Sequence, residues 1–319
     1  MLLWKINVLD FKTLKHSATM KKLVIAAGTG FLGQVLINYF KDDVDEIVIL
    51  TRGKARKENN VSYINWDAKS LTGWETELEG ADVLINLAGK SVDCRYNERN
   101  KNKIITSRID STAVLNKAVL QCVHPPKHWL NSSTATIYRH SLDKQMDETT
   151  GDIGFDFSIN VAKMWERTFF QTETPKTKKT ALRTSIVLGK NGGAYPMLKK
   201  LTQLGFGGKQ GNGRQFVSWI HELDFARAVA FIIEKELEGK INVVSPAPVR
   251  NKNFMKALQH RMDMPIAIPI GKALLEIGAT IVGTETELVL KSRNVIPARL
   301  QQQGFTFVNG DLENALKNL

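Results

Sequence analysis

The stretch Lys22-Leu-Val-Ile-Ala-Ala-Gly28-Thr-Gly30-Phe-Leu-Gly33-Gln-Val-Leu-Ile-Asn-Tyr-Phe40 decides the fold. Leu23 to Ala27 is an unbroken apolar run, as a parallel strand buried on both faces requires. Three glycines follow at the spacing GxGxxG. Apolar residues then recur at helical spacing: Phe31, Leu32, Val35, Leu36, Tyr39 and Phe40. Strand, glycine turn and helix in this order bind the pyrophosphate of a dinucleotide. Gly28 permits a tight turn that a Cβ would obstruct. Gly30 lets the backbone approach the phosphates, and Gly33 lets the helix pack close to the sheet. The helix start then aims unpaired N–H groups and a positive dipole end at the anion. Gly28, Thr29, Gly30, Phe31, Leu32 and Gly33 are therefore the first cofactor contacts predicted. The alternative is a glycine turn without a ligand.

Working outward, the second strand is Glu46–Thr51. An acidic residue at its end would hold the ribose 2′-hydroxyl of NAD, whereas an arginine accommodates the 2′-phosphate of NADP. Here Thr51 is followed by Arg52, Lys54 and Arg56, with no carboxylate before Glu58. A guanidinium can bind a phosphate through a fork of N–H groups. Arg52, 19 residues after Gly33, thus points to NADP(H). The alternative for Arg52 is the opening of a solvated basic loop. The third strand is Val61–Asp67, and Asp67 suits either an adenine amino group or the cap of the following turn. The fourth strand runs from Ala81 into Leu87, Ala88 and Gly89, small enough for a cofactor to lie along the backbone. A long helix, Asn97 to Gln121, and a fifth strand, Lys127–Thr134, complete the first half.

Composition bounds the function classes. The chain has 319 residues and a formal charge of +12. Its basic residues are scattered and form no nucleic-acid module, so a basic surface with a phosphate-bearing ligand is the simpler reading. No apolar run approaches the ~20 residues of a membrane span. Residues 1–19 are interrupted by Lys5, Asp10, Lys12 and Lys15, so they read as an extension rather than a signal peptide. Cys94 and Cys122 give no disulfide framework and read as reduced thiols of a cytoplasmic protein. The six histidines do not cluster, and no metal is expected.

Four stretches in order carry a resemblance: Gly28-Thr-Gly-Phe-Leu-Gly33, Asn86-Leu-Ala-Gly89, Ser132-Ser-Thr-Ala-Thr-Ile-Tyr138 and Arg183-Thr-Ser-Ile-Val-Leu-Gly189. The sequence resembles the extended short-chain dehydrogenase/reductases, the NAD(P)-dependent epimerase/dehydratase group. Lys103-Ile-Ile-Thr-Ser-Arg108, Trp165-Glu166, Ser218-Trp-Ile-His221 with Asp224, and Pro246-Ala-Pro-Val-Arg-Asn251 resemble an atypical branch labelled epimerase-family or cell-division-inhibitor-like. The resemblance runs from about Met20 to the C-terminus.

The resemblance implies a Tyr and a Lys, spaced YxxxK, in the helix after the fifth strand, and a Ser or Thr at that strand's end. The phenolate would take a substrate proton while the hydroxyl polarises the reacting oxygen. Thr134 falls at the Ser/Thr position, with Ser133 beside it. In the helix around Phe157–Glu166, however, Ser158 stands for the Tyr and Ala162 for the Lys. Lys163 is one position late, about 100° round the helix. Tyr138 is the candidate acid instead, expected at the mouth of the cofactor cleft, its alternative being a packing role. Tyr195 and Lys199 form a literal YxxxK after the sixth strand, read as a packing or lid residue and a surface lysine. Lys103, Ser107 and Arg108, and by resemblance Arg214, are the candidate binders of an acidic or phosphorylated substrate. The alternative for the first three is a solvated helix face.

The expected architecture is α/β: a doubly wound, Rossmann-like parallel sheet with a smaller, helix-rich C-terminal substrate domain. Residues 20–188 and 219–245 are assigned to the NADP-binding domain, and 189–218 and 246–319 to the substrate side. The function expected is an NADP(H)-binding oxidoreductase or epimerase on a small polar, nucleotide-sugar-like substrate. The alternative is an inactive NADP(H)-sensing module. Expected partners are the small-molecule substrate and, as a homodimer, a second copy, with neither nucleic acid nor membrane.

Overall fold

The computed structural model describes residues 20–282 and 285–319; the extension at 1–19 lies outside the described residues. Chain order begins with β1 (Met20–Ala26), α1 (Phe31–Phe40), β2 (Val44–Thr51), β3 (Arg56–Glu58), β4 (Val61–Asn65) and β5 (Val83–Asn86). It continues with α2 (Glu98–Gln121), β6 (His128–Thr134), α3 (Phe157–Phe170) and β7 (Lys178–Thr184). These strands, joined by a later one, make an eight-stranded sheet. From one edge the order is β7, β6, β5, β1, β2, β4 and β3, with the later strand outside β7. All pairings are parallel except β3 with β4. Strand order reverses between β1 and β5, the topological switch point at whose carboxyl side doubly wound folds hold ligands.

The apolar run of β1 is buried because alternate residues feed two cores. Leu23 and Ile25 pack with Leu36, Ile37 and Phe40 of α1. Val24 and Ala26 face the other side, with Val114, Leu115 and Ala118 of α2 and with Trp129 and Phe169. β2 divides the same way: Ile47 and Ile49 against Val48 and Leu50. Each such side chain contributes roughly 1.5–3 kcal/mol by leaving water, and the two layers fix which strand ends meet at the switch point.

Residues Thr180–Leu188 fall in two strands. β7 stays in the main sheet, whereas β8 (Ile186–Gly189) turns off after Ser185 and joins β9 (Gly192–Gly193). α4 (Tyr195–Leu201) follows, then β10 (Phe216–Val217), β11 (Trp219–His221), α5 (Glu222–Glu234) and β12 (Gly239–Val243), which completes the main sheet. β11 pairs with β8. β13 (Val249–Arg250) pairs with β10. Among the described residues α6 (Asn251–Arg261), α7 (Lys272–Val282), α8 (Glu287–Leu290), α9 (Ala298–Gln302) and α10 (Leu312–Lys317) follow. Gly304–Phe307 forms no strand. A third core joins Leu188, Tyr195, Trp219, Phe254, Leu258 and Leu316. Tyr195 is buried there and Lys199 is exposed. His221 caps α5 by accepting from the Leu223 N–H.

The C-terminal segment returns to the main domain beside the start of α3. Met146 and Asn294 share a backbone bond of 2.7 Å, and Lys291 reaches Asp156, the residue that caps α3. This closes one side of the space above the carboxyl ends of β5 and β6.

Candidate functional site

The three glycines of the turn after β1 meet different surroundings. A Cβ on Gly33 would lie 2.0 Å from the Gly28 carbonyl oxygen, so only glycine lets α1 close onto the turn. A Cβ on Gly28 would touch Ile25 and Ile49 at 3.0 Å. A Cβ on Gly30 would meet nothing within 4 Å. That position needs no glycine for the chain's own packing, and its backbone faces open space. Gly30 is also the N-cap of α1, with no side-chain cap and no acidic residue in the first turn. The amide donors at this helix start are therefore left for an external acceptor, and the cradle fits a dinucleotide pyrophosphate. Thr29 and Gly30 are exposed. Phe31 and Leu32 are half-buried, and the Phe31 ring packs so close to Gly189 and Gly192 that a Cβ on either would lie 2.3 Å from it.

Ala26 pairs with Leu50, so Arg52 stands just past the carboxyl end of β2, beside the glycine turn. The loop is pinned by Thr51 Oγ1, which accepts from Gly53 N–H, and by Asn65, which donates to the Gly53 carbonyl. Arg56 is spent on Glu58 at 2.7 Å and lies 3.4 Å over the Tyr63 ring. Arg52 is exposed and, among the described residues, makes no ion pair or hydrogen bond through its side chain. Asp67 takes the capping role of its two sequence readings. One carboxylate oxygen accepts from the Lys69 and Ser70 N–H groups, and these bonds hold its pKa below the ordinary carboxylate value.

On the far side of the switch point, Asn86 is fully buried. It donates to Asn131 at 2.7 Å and to Thr112 at 3.3 Å, and accepts from the Ala88 N–H. This anchors the Leu87-Ala88-Gly89 loop to α2 and β6. Arg108 of α2 lies directly over Gly89, its guanidinium carbon 3.1 Å from where a Cβ would be. It donates to the Lys90 and Ile104 carbonyls and sits 5.0 Å over the Trp165 ring. No carboxylate pairs with it among the described residues, and burial lowers its pKa to about 10. Ser107 accepts from the Lys90 N–H, while Lys103 and Arg214 are exposed. The structure thus brings Arg108, but not Lys103, against the Gly89 loop.

At the end of β6 the three candidate hydroxyls part company. Thr134 is half-buried and accepts from the Thr136 N–H at 3.1 Å, leaving its proton to donate. Ser133 faces inward and donates to Glu166 at 2.7 Å. Tyr138, expected at the mouth of the cleft, is only 1% exposed. Its hydroxyl donates to Asn242 and accepts from Arg183, each at 2.9 Å, and burial raises its pKa. The expectation overlooked that β7 supplies a buried arginine which draws the phenol inward. Ala162 is fully buried and Ser158 opens α3. Sequence reading missed Tyr96, whose hydroxyl is 3.5 Å from Ser158 Oγ. It sits in an irregular loop, and no spacing signal marks it.

Among the described residues no group of three or more His, Cys, Asp or Glu is placed to hold a metal ion, and no helix is long and apolar enough to cross a membrane. Residues 23–244 match the model of the NAD dependent epimerase/dehydratase family, and residues 273–319 match a domain of unknown function, DUF1731. The chain is 34% identical over 303 residues to Epimerase family protein SAR0825 of Staphylococcus aureus (strain MRSA252), covering 94% of this chain and 99% of the relative. Human epimerase family protein SDR39U1 (isoform 2), solved with NADPH, aligns at TM-score 0.83 and 27% identity over 93% of this chain and 98% of that one. A nucleoside-diphosphate sugar epimerase from Corynebacterium glutamicum aligns at TM-score 0.73 and 26% identity, covering 94% of this chain and 57% of the other. With the glycine turn, the switch point and these matches in one register, the chain belongs to the NAD dependent epimerase/dehydratase family.

Proposed function

We propose that this chain is an NADP(H)-binding oxidoreductase or epimerase acting on a small polar, nucleotide-sugar-like substrate. The observation that carries the reading is the open Gly30 backbone at an uncapped helix start, beside an unpaired Arg52. Gly28 to Gly33 would hold the pyrophosphate, Arg52 the 2′-phosphate, Asp67 the adenine amino group, and Leu87 to Gly89 the cofactor's flank. The NADPH in SDR39U1 supports the choice of nucleotide. When bound, the cofactor supplies a hydride donor or acceptor. Thr134 donates its free proton to the reacting oxygen, and Arg108 places an unpaired charge against the Gly89 loop. Arg108, with the exposed Lys103 and Arg214, suits an anionic substrate. Residues 189–218 and 246–319 form the substrate side in this reading.

Ser158 and Ala162, where the family pattern has Tyr and Lys, favour a second reading, an inactive module that senses NADP(H). Nicotinamide fluorescence titrations with NADPH and NADH, followed by candidate sugar nucleotides, separate the two. The proposal expects NADPH to bind more tightly than NADH and a sugar nucleotide to change the cofactor signal. NADH binding at least as tightly overturns the assignment of Arg52. A signal that no candidate moves favours the sensing module. If turnover is found and survives Thr134→Val, the role given to Thr134 is wrong.

A further inference from the structure

We propose that Arg108 holds the nicotinamide-side phosphate of the cofactor's pyrophosphate, through the Nε–Nη2 edge of its guanidinium. The proposal rests on the reading of the chain as NADP(H)-binding, and within that reading it moves Arg108 from the substrate to the cofactor. Three surroundings fix the guanidinium. Its Nη1 donates to the Lys90 carbonyl at 3.1 Å and to the Ile104 carbonyl at 3.0 Å. Its central carbon lies 5.0 Å over the Trp165 ring. That ring is itself held, because its Nε1–H donates to Thr112 Oγ1, the hydroxyl that also accepts from Asn86. Gly89 closes the third side: a Cβ there would stand 3.1 Å from the guanidinium carbon and 3.3 Å from Nη2. The missing side chain at Gly89 therefore makes room first for Arg108.

An arginine carries five N–H donors, and here the two on Nη1 are taken by carbonyls. Nε and Nη2 have no hydrogen-bond partner among the described residues, and neither is sealed from solvent. Together they form one edge of the planar group, a fork of two parallel N–H bonds that suits the oxygens of a phosphate. Strand register says which ligand passes this fork. Ala26 pairs with Asn86, and the Leu87 N–H donates to the Ala26 carbonyl at 3.0 Å. The loops after β1 and β5 thus leave the sheet side by side, at neighbouring-strand spacing, about 4.8 Å. The order β2, β1, β5, β6 sets Arg52 on one side of the glycine turn and the Gly89 loop on the other, with Thr134 beyond it. A dinucleotide with its adenine half at Arg52 and its pyrophosphate on the turn must cross the Gly89 loop to reach Thr134. Arg108 stands at the start of that crossing.

Charge balance points the same way. A pyrophosphate brings two negative charges. The start of α1 offers only about half an elementary charge through its dipole. Its first turn, Phe31-Leu-Gly-Gln34, contains no basic side chain. Arg108 supplies the full charge that the glycine turn lacks. The fork is also held before any ligand arrives. Ser107 Oγ accepts from the Lys90 N–H at 2.8 Å, so both backbone groups of Lys90 are tied to α2, one by Ser107 and one by Arg108. Binding then orders little that is not already ordered, which favours affinity.

The test measures NADPH and NADH by fluorescence titration, and 2′,5′-ADP by competition with NADPH, on the full chain, Arg108→Gln and Arg108→Lys. 2′,5′-ADP carries the adenine-side phosphate and the 2′-phosphate but lacks the nicotinamide-side one. Arg108→Gln should weaken NADPH and NADH alike, by about 30-fold, and leave 2′,5′-ADP unchanged. Arg108→Lys keeps the charge without the fork and should recover part of the loss. In phosphorus NMR of bound NADPH, Arg108→Gln should move the pyrophosphate resonances and leave the 2′-phosphate resonance in place. Unchanged NADPH affinity returns Arg108 to the substrate and overturns the proposal. Equal losses for NADPH and 2′,5′-ADP would make Arg108 a prop of the whole cleft and also overturn it, as would a loss of NADPH with the pyrophosphate resonances unmoved. Should Arg108→Gln fail to fold, Gly89→Ala displaces the guanidinium without removing it, and the same pattern of losses is expected. NADH binding more tightly than NADPH sinks only the role of Arg52, since the pyrophosphate is common to both. A chain that binds neither dinucleotide overturns the parent reading, and this proposal falls with it.

Discussion

Two polar regions lie within one helix of each other and behave in opposite ways. In the first, Arg183 holds Glu166 through two bonds of 2.8 Å, Ser133 donates to the same carboxylate, and Tyr138 links Arg183 to Asn242. The ion pair is almost fully buried, and its donors and acceptors answer one another across α3, β6, β7 and β12. In the second, Thr134, Arg108 and Tyr96 keep donor capacity that the chain does not use. Ser133 and Thr134 are neighbours, yet strand alternation sends one into each region. A polar group closed by its own fold is structural. One left open at the switch point is available to a ligand. The sharpest way to break this contrast is Glu166→Ala. It strands the Arg183 charge in the interior and should cost about 3–5 kcal/mol in urea unfolding. A loss below about 1 kcal/mol would mean that the network is not the closed unit described.

The glycine turn offers the same contrast within six residues. Gly30→Ala adds a methyl group to open space at an N-cap with φ near −78° and ψ near 176°, a conformation alanine accepts. Its stability should fall by no more than about 1 kcal/mol, the cost of alanine at an N-cap. NADPH affinity should fall about 100-fold, roughly 2.7 kcal/mol, because the methyl fills the place of the pyrophosphate. Gly33→Ala, forced 2.0 Å from the Gly28 oxygen, should lose thermal stability whether or not cofactor is present. If Gly30→Ala binds NADPH like the parent, the open space is not the cofactor cradle.

The sequence announced these two regions unequally, for physical reasons. β1, the glycine turn and α1 are local: their pattern lies in one continuous stretch, so fold class and a dinucleotide-binding family could be read together. The place of Arg52 was legible because β2 must end beside that turn. Tyr138 was misread because its fate depends on Arg183, 45 residues later, and on Asn242, 104 residues later. The bend at Ser185, which divides residues 180–188 between two sheets, falls in the polar triplet Arg183-Thr-Ser185 and is marked by neither glycine nor proline. Tyr96 was invisible for the converse reason. Its loop has no periodicity, and its contacts with Ser158 and Glu285 exist only after α3 and the C-terminal segment pack together.

The two ends of β6 extend the contrast to pH. At the amino end His128 is 4% exposed, with Nε2 2.8 Å from Thr180 Oγ1 and Nδ1 without a partner. Thr180 already donates to the Leu237 carbonyl, so the imidazole donates through Nε2 and stays neutral. Burial, assisted by the Lys178 charge, lowers its pKa to about 4 from 6.5. On acidification the unfolded chain takes up this proton first, below about pH 6.5. Stability is therefore full above that pH and declines until the folded histidine also protonates near pH 4. Urea unfolding at pH 7 and pH 5 should show this residue contributing about 2 kcal/mol of the loss. His128→Gln should remove that share. An unchanged pH dependence would show that the amino end of β6 is wetter than its geometry implies.

The smallest effect expected tests the open region at its edge. Arg52 and Arg56 are four residues apart, the first in the loop after β2 and the second opening β3, but among the described residues only Arg56 has a side-chain partner, Glu58. Arg52→Ala should leave unfolding free energy within about 0.5 kcal/mol, as an exposed side chain without contacts does. It should weaken NADPH about tenfold, roughly 1.4 kcal/mol, by removing one charge-assisted contact to the 2′-phosphate. NADH, which lacks that phosphate, should be unaffected. Arg56→Ala should move neither affinity, since its guanidinium is already engaged by a carboxylate and a tyrosine ring. Equal losses for NADPH and NADH in Arg52→Ala would make Arg52 a general surface charge. A loss of NADPH in Arg56→Ala alone would transfer the phosphate to the residue that the contrast places on the closed side.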